Sequence, residues 1–360
     1  MTRKTTLIRV GYVPYSRDLK HPADRRRLAS WALERKVPLH ITDPLNSDAL
    51  VLSNAANFGY WIKQSKQPVI LDLVDGYLGE KPSLFRDFSR NILRTIRGTS
   101  SLNWLTYTEH LKEACRQSAA VVVASPEQRD LVLPYNPNVF VILDDHSELD
   151  VLRNTKTSLG IEHQLCQHDY HLFWEGFGFT IKHFQEISVQ LDKFLAQNNV
   201  GMYVVTNTEF PKWGGYLGTV KTESLIKKLF PISFSSIHIL PWSLGNLGLA
   251  ASQSFLGIIP INFDDKFAQL KSENKLLSMW HLGLPVICSP TPAYLRVFKD
   301  AGIQVDGNNP IKWIDLISDS MFIDNKLNSQ KSLADLYIMD QHTRKILAGK
   351  WDEVFNTVIS

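Results

Sequence analysis

The sequence is short of cysteine, of net charge and of long apolar runs, and each shortage removes a class of protein. Only three cysteines, Cys115, Cys166 and Cys288, stand among 360 residues. They are far apart and odd in number, so they fit neither a disulfide framework nor a zinc spacing, which suits a reducing compartment. Lysine and arginine number 39 against 36 acidic residues, and a formal net charge of +3 is too weak a field to argue for nucleic acid. No run of about 18 or more apolar residues is present, so a membrane-spanning helix is not expected. The amino terminus, MTRKTTLIRVGYVPYS, is basic but has no long apolar region and no small-residue cleavage site, unlike a secretory signal. A cytoplasmic location is the expectation. No low-complexity tract and no internal repeat is visible.

What is present is ordinary globular composition, 44% hydrophobic and 21% charged, over a length that predicts two domains. Short apolar or β-branched runs at 7–13, 39–42, 49–53, 69–73, 119–124 and 140–143 alternate with helical patterns at 23–36, 84–97 and 104–116. A polar stretch from about 148 to 169 reads as a connection. Strand-like runs then resume at 171–174, 202–206, 236–240, 256–261 and 286–288, with a helix predicted over 181–198. Alternation of this kind means α/β architecture with parallel sheets covered on both faces. The predicted division is residues 1–160, residues 161–335 and a terminal helical segment, 336–360.

Lys271 to Pro290, KSENKLLSMWHLGLPVICSP, is the most informative stretch. Ser272 is placed to cap a helix with Leu276, Leu277 and Trp280 on its apolar face, and Gly283 and Pro285 end it before a buried strand. Lys271 and Lys275, with Asn274 between them, stand where free backbone N–H groups and the helix dipole favour an anion. The stretch resembles the nucleotide-sugar segment of GT-B glycosyltransferases, those of the retaining family 4 in particular. Lys275, Gly283, Leu284, Pro285 and Val286 carry the likeness, together with Leu240, Pro241, Trp242 and Ser243 and the Gly257–Ile258–Pro260 strand. It covers the second half well and the first half in layout. Where many such enzymes hold two carboxylates, one for the nucleotide ribose, this chain has Leu270 and Ser278, so that contact must come from elsewhere.

The resemblance implies two Rossmann-like domains facing across a cleft, with a C-terminal helix crossing back to the first. It implies transfer of a sugar from a nucleotide-diphosphate sugar to a glycan or polyprenol-linked hydroxyl, in surface polysaccharide synthesis, with retention of configuration. No cofactor is expected beyond the donor, and no metal, since no Asp-x-Asp follows a strand in the second half. A sugar-nucleotide epimerase of the same fold and a non-catalytic subunit supporting a partner enzyme are the alternatives.

Residues are assigned on this basis. Lys275, Lys271, Ser272, Asn274, Glu175, Gly176 and Trp242 are the donor candidates, since a Gly-x-Gly after a strand (Gly176, Gly178) lets backbone approach a phosphate. Asp75, Asp72 and His21 are the catalytic candidates. Tyr15, Ser16, Arg17 and Arg25 form a polar loop on the acceptor or sugar side. Of Arg25, Arg26 and Arg27, at most two can face one way, leaving the third solvated. Arg86, Arg90, Arg94 and Arg97 lie opposite Phe85, Phe88, Ile92 and Ile96 at helical spacing, a pattern suited to an anionic membrane surface at the inner face of the cell membrane.

Overall fold

A computed structural model describes residues 8–79, 92, 106–154, 168–211, 218–304, 312–322 and 324–359. The chain divides into two compact units. The first comprises Met1–Asp145, Leu270–Ser272 and His342–Ser360, and the second His146–Gln269 and Glu273–Gln341. The first boundary falls after Asp145, not near 160, because the Asp150–Asn154 helix packs within the second unit, where Asp150 meets His281 and Arg153 meets Asp335. The basic helix expected over 84–97 lies outside the described residues apart from Ile92, and Cys166 lies outside them altogether.

In the first unit β1 (Val10–Val13), β2 (Leu39–His40), β3 (Ala49–Ser53), β4 (Val69–Leu73), β5 (Ala120–Val123) and β6 (Val139–Val141) form one parallel sheet in the order β2-β1-β3-β4-β5-β6. Successive side chains go to opposite faces, and both faces are covered, so the strands read as unbroken apolar runs. Val51, Ile70 and Val122 pack against Trp31, Trp351 and Phe355. Leu50, Leu71 and Val123 pack on the other side with Phe58, Tyr107 and Leu111.

The helix expected over 23–36 is broken into Pro22–Arg25 and Leu28–Arg35, with the backbone at Arg27 turned out of helical geometry (φ −121°, ψ −107°). The break aims Arg27 inward. The expected long terminal helix is also two: Asp324–Gln341 belongs to the second unit and Arg344–Ile359 to the first. The latter lies on Leu28–Arg35, where Trp31 stacks obliquely on Phe355 at 4.7 Å and its indole N–H donates to Asp352 at 2.8 Å.

The second unit contains β7 (Tyr170–Gly176), β8 (Val200–Thr206), β9 (Glu209–Pro211), β10 (Thr219–Lys221), β11 (Ile237–Pro241), β12 (Leu256–Ile259) and β13 (Val286–Cys288). Five of them make a parallel sheet, β11-β8-β7-β12-β13, while β9 and β10 form an antiparallel hairpin that the sequence pattern did not announce. β7 is central: the chain winds to β8 and β11 on one side and to β12 and β13 on the other. Ligands of open α/β sheets bind outside the carboxyl ends of strands where the order reverses, here at β7 and β12. The helix expected over 181–198 begins instead as a tight 3₁₀ stretch, Gly178–Glu186, before the regular helix Ser188–Gln197.

Candidate functional site

Three donor candidates come together at the carboxyl end of β7. Lys275, in the first turn of the Asn274–His281 helix, lays its ammonium 4.9 Å from the ring centre of the buried Trp174. It also lies where a side chain at residue 176 would begin, 2.7 Å from an idealised Cβ. Gly176 therefore leaves room for the cation, and its φ of +157° further favours glycine. One helical turn along, the Ser278 hydroxyl lies 3.2 Å from Glu175 Oε1 and 3.0 Å from the Lys275 carbonyl. Positive and negative groups thus stand side by side at the strand end, with the phenol of Tyr294, held protonated first by burial and then by Cys288, Glu273 and Glu175, close behind.

The neighbouring strand ends are tied to this point. The Thr206 hydroxyl, at the end of β8, donates to the Gly176 carbonyl at 2.7 Å, and the Thr206 carbonyl accepts from the Trp242 N–H at 2.9 Å. Trp242 thus belongs to the same sheet edge through its backbone. Gly178 serves packing: its N–H donates to Asn207 at 2.8 Å, and an idealised Cβ would fall 2.1 Å from the Thr222 hydroxyl. The loop after β12 is pinned as well, with the Asn262 N–H on His183 and Asp265 paired to Lys182 at 3.2 Å.

One expectation needs correction here. The helix cap is Glu273, not Ser272, and no side chain caps the helix. Glu273 is fully buried and held at 3.1 Å by both terminal nitrogens of Arg296, an ion pair that anchors this turn. Lys271 and Ser272 fall in the short segment that packs with the first unit, where the Leu270 carbonyl accepts from Gln128 at 3.3 Å. Asn274, which opens the helix, is adjacent to Lys275 in the chain.

The first unit gathers a second set at the ends of β1, β3 and β4. Asp72 leaves the list of reacting groups: it is 1% exposed and its carboxylate is held by Arg27 at 2.5–3.0 Å. Arg27 also reaches the Ile142 carbonyl at 2.6 Å and Asp144 at 3.2 Å. Of the three arginines in the series, Arg25 and Arg26 are half-buried and Arg27 is buried. Burial alone would lower its pKa, but Asp72 and Asp144 more than offset that and keep the guanidinium charged. Burial raises the Asp144 carboxyl despite the same arginine.

Asp75 is half-buried and accepts from the Tyr77 hydroxyl at 3.2 Å. Tyr77 packs edge-on against Tyr107, whose hydroxyl donates to Asn54 at 2.7 Å. Burial, then Asp75, pushes the Tyr77 phenol up, so it stays a neutral donor. Tyr15 and His21 are stacked at 4.6 Å, Ser16 is bound to Asp24, Arg25 donates to the Lys20 carbonyl at 3.0 Å and Arg17 is exposed. Tyr77, Tyr107 and Asn54 were not singled out from the sequence, since only tertiary contacts bring them to this edge.

Burial pushes the Cys115 thiol up to about 12 and raises Cys288 too, so neither is a nucleophile candidate. Among the described residues no group of three or more histidine, cysteine or acidic side chains is disposed to hold a metal ion, and no helix is long and apolar enough to cross a membrane.

Two Rossmann-like units with parallel sheets and these strand orders define the GT-B fold. Solved structures sharing it include WaaG, a glycosyltransferase involved in lipopolysaccharide biosynthesis, at TM-score 0.52 and 10% identity over 97% of this chain and 98% of that one. An α,α-trehalose-phosphate synthase (UDP-forming) from Burkholderia vietnamiensis gives 0.59 at 10% identity over 92% and 79%. TarM gives 0.56 at 10% identity over 86% of this chain and 54% of its own, so the chain spans about half the length of TarM. A point mutant of S. aureus TarM has been crystallised in complex with fondaparinux, α-GlcNAc-glycerol and UDP. No protein-family model and no curated protein sequence matches the chain.

Proposed function

We propose that this chain transfers a glycosyl group from a nucleoside-diphosphate sugar to a hydroxyl of a glycan or lipid-linked acceptor, with retention of configuration. The observation that carries the reading is the Lys275 ammonium over Gly176, at the carboxyl end of the central strand where the sheet order reverses. A fixed cation beside exposed backbone is suited to the charge that grows on a departing diphosphate. Glu175, beside Ser278, supplies a carboxylate for the nucleotide ribose at the position where the sequence lacks one. The leaving diphosphate takes the proton of the attacking hydroxyl, so the protein's contribution is positioning and charge stabilisation, with Asp75 orienting a sugar hydroxyl. The donor is the sole small molecule required. A surface-polysaccharide role at the inner membrane face fits a lipid-linked acceptor and the basic pattern at Arg86, Arg90, Arg94 and Arg97.

Calorimetric titration with UDP-, GDP-, CMP- and dTDP-sugars, followed by donor hydrolysis and transfer assays, tests the reading. Binding with turnover of one donor is expected. Absence of binding across the panel refutes it and leaves a non-catalytic subunit.

A further inference from the structure

The loop between β1 and Pro22 is held from beneath by one carboxylate. Asp24, fully buried, accepts four hydrogen bonds: at Oδ1 from the Tyr12 hydroxyl (2.7 Å) and the Tyr15 N–H (2.9 Å), at Oδ2 from the Ser16 N–H (2.9 Å) and hydroxyl (3.1 Å). The Ser16 oxygen in turn accepts the His21 N–H at 3.1 Å. Leu19 is forced to φ +57°, a conformation that costs a non-glycine residue about 1–2 kcal/mol and persists only where the surroundings over-determine it. At its end this loop presents the imidazole of His21, exposed and stacked on Tyr15 with 13° between the ring planes.

The protonation of that ring follows from its contacts. His21 Nδ1 accepts the Ala23 N–H at 3.2 Å, capping the Pro22–Arg25 helix. A ring nitrogen that accepts carries no proton, so the neutral imidazole must hold its proton on Nε2. Burial favours the neutral form and nearby Arg25 adds to it, outweighing Asp24 and Asp144, so the ring is uncharged near neutral pH. Its lone pair is occupied by the helix cap. A general base needs that lone pair; a hydrogen-bond donor does not.

We infer that His21 acts through Nε2–H as a donor to a sugar or acceptor oxygen, and that it is not the base that receives the acceptor's proton. The inference rests on the transferase reading for its ligand, and on the loop geometry alone for its tautomer.

The experiment has two arms on the full chain. In the first, ¹⁵N-histidine spectra of wild type and His21→Gln identify the His21 signals by difference. An Nε2–H tautomer is expected, and an Nδ1–H tautomer overturns the inference. In the second, transfer is measured against pH for wild type, His21→Gln and His21→Phe, with melting curves to show that each is folded. Glutamine offers an N–H of similar reach, so His21→Gln should lose about threefold or less, whereas His21→Phe, which keeps the stacked ring without the donor, should lose about 5- to 100-fold. The wild-type profile should show no acidic limb that disappears in His21→Gln. Such a limb, with glutamine as damaging as phenylalanine, would establish a base and overturn the inference. A wild-type chain that turns over no donor refutes the transferase reading instead, and the nitrogen spectrum still decides the tautomer.

Discussion

Replacing Lys275 by alanine tests the donor site with little risk to the fold. The side chain is half-buried, and its packing on Trp174 is a cation–π contact worth about 0.5–1 kcal/mol to stability at such a site. Its worth in turnover should be larger, because in the proposed reaction the ammonium stands where charge develops on a leaving diphosphate. Removing one preorganised contact of this kind costs about 2–4 kcal/mol in the transition state, which at about 1.4 kcal/mol per decade is about 30- to 700-fold in turnover. The assay is donor turnover and nucleoside-diphosphate affinity on one preparation, with a thermal melt alongside. A variant that melts like wild type yet turns over within about threefold of it would show that the diphosphate is bound elsewhere.

Asp75→Asn keeps shape and removes charge, so turnover should fall with nucleotide affinity nearly unchanged; equal turnover by both proteins would reduce Asp75 to a turn residue. Changing Arg86, Arg90, Arg94 and Arg97 together to glutamine should weaken binding to anionic vesicles by about 1 kcal/mol per residue while sparing transfer to a soluble acceptor, and undiminished co-sedimentation would end the membrane proposal. His171, whose pKa is lowered to about 4 by burial and then by His238 and His168, stays neutral in the folded chain while the unfolded chain takes up a proton below about 6.5. The unfolded state therefore binds more protons in that window, so stability should decline as pH falls from about 6.5 to about 4 and be unaffected by this group above it. Melts of wild type and His171→Gln across the range check this, and parallel curves would refute it.

The strands were legible because both sheets are covered on both faces, which leaves runs such as Ala49–Ser53 and Val69–Leu73 apolar from end to end. Lys275 was singled out because the likeness that names it rests on local spacing to Gly283 and Pro285, and the structure lays its ammonium beside Trp174 and Gly176. What escaped depends on partners remote in sequence. Arg27 meets Asp72 across 45 residues, and that buried pair both breaks a helix that propensity would continue and withdraws a carboxylate from the candidate list. Ser278 meets Glu175 across 103 residues, a pairing that the helix by itself could not reveal. Ser272 has the chemistry of a cap, but the ion pair of Glu273 with Arg296 sets the turn one residue later.

The Trp31–Asp352 hydrogen bond spans 321 residues of chain. During synthesis the amino-terminal sheet leaves the ribosome first, yet one of its faces, covered in part by Leu28 and Trp31, is not completed until Trp351 and Phe355 arrive. The second unit, enclosed within the sequence of the first, emerges before then and can be complete earlier. Order of birth and order of completion are therefore reversed in this molecule. A nascent chain that has not yet reached residue 342 would carry a partly exposed apolar face, which makes the interval before the Arg344–Ile359 helix emerges a period of dependence on chaperones.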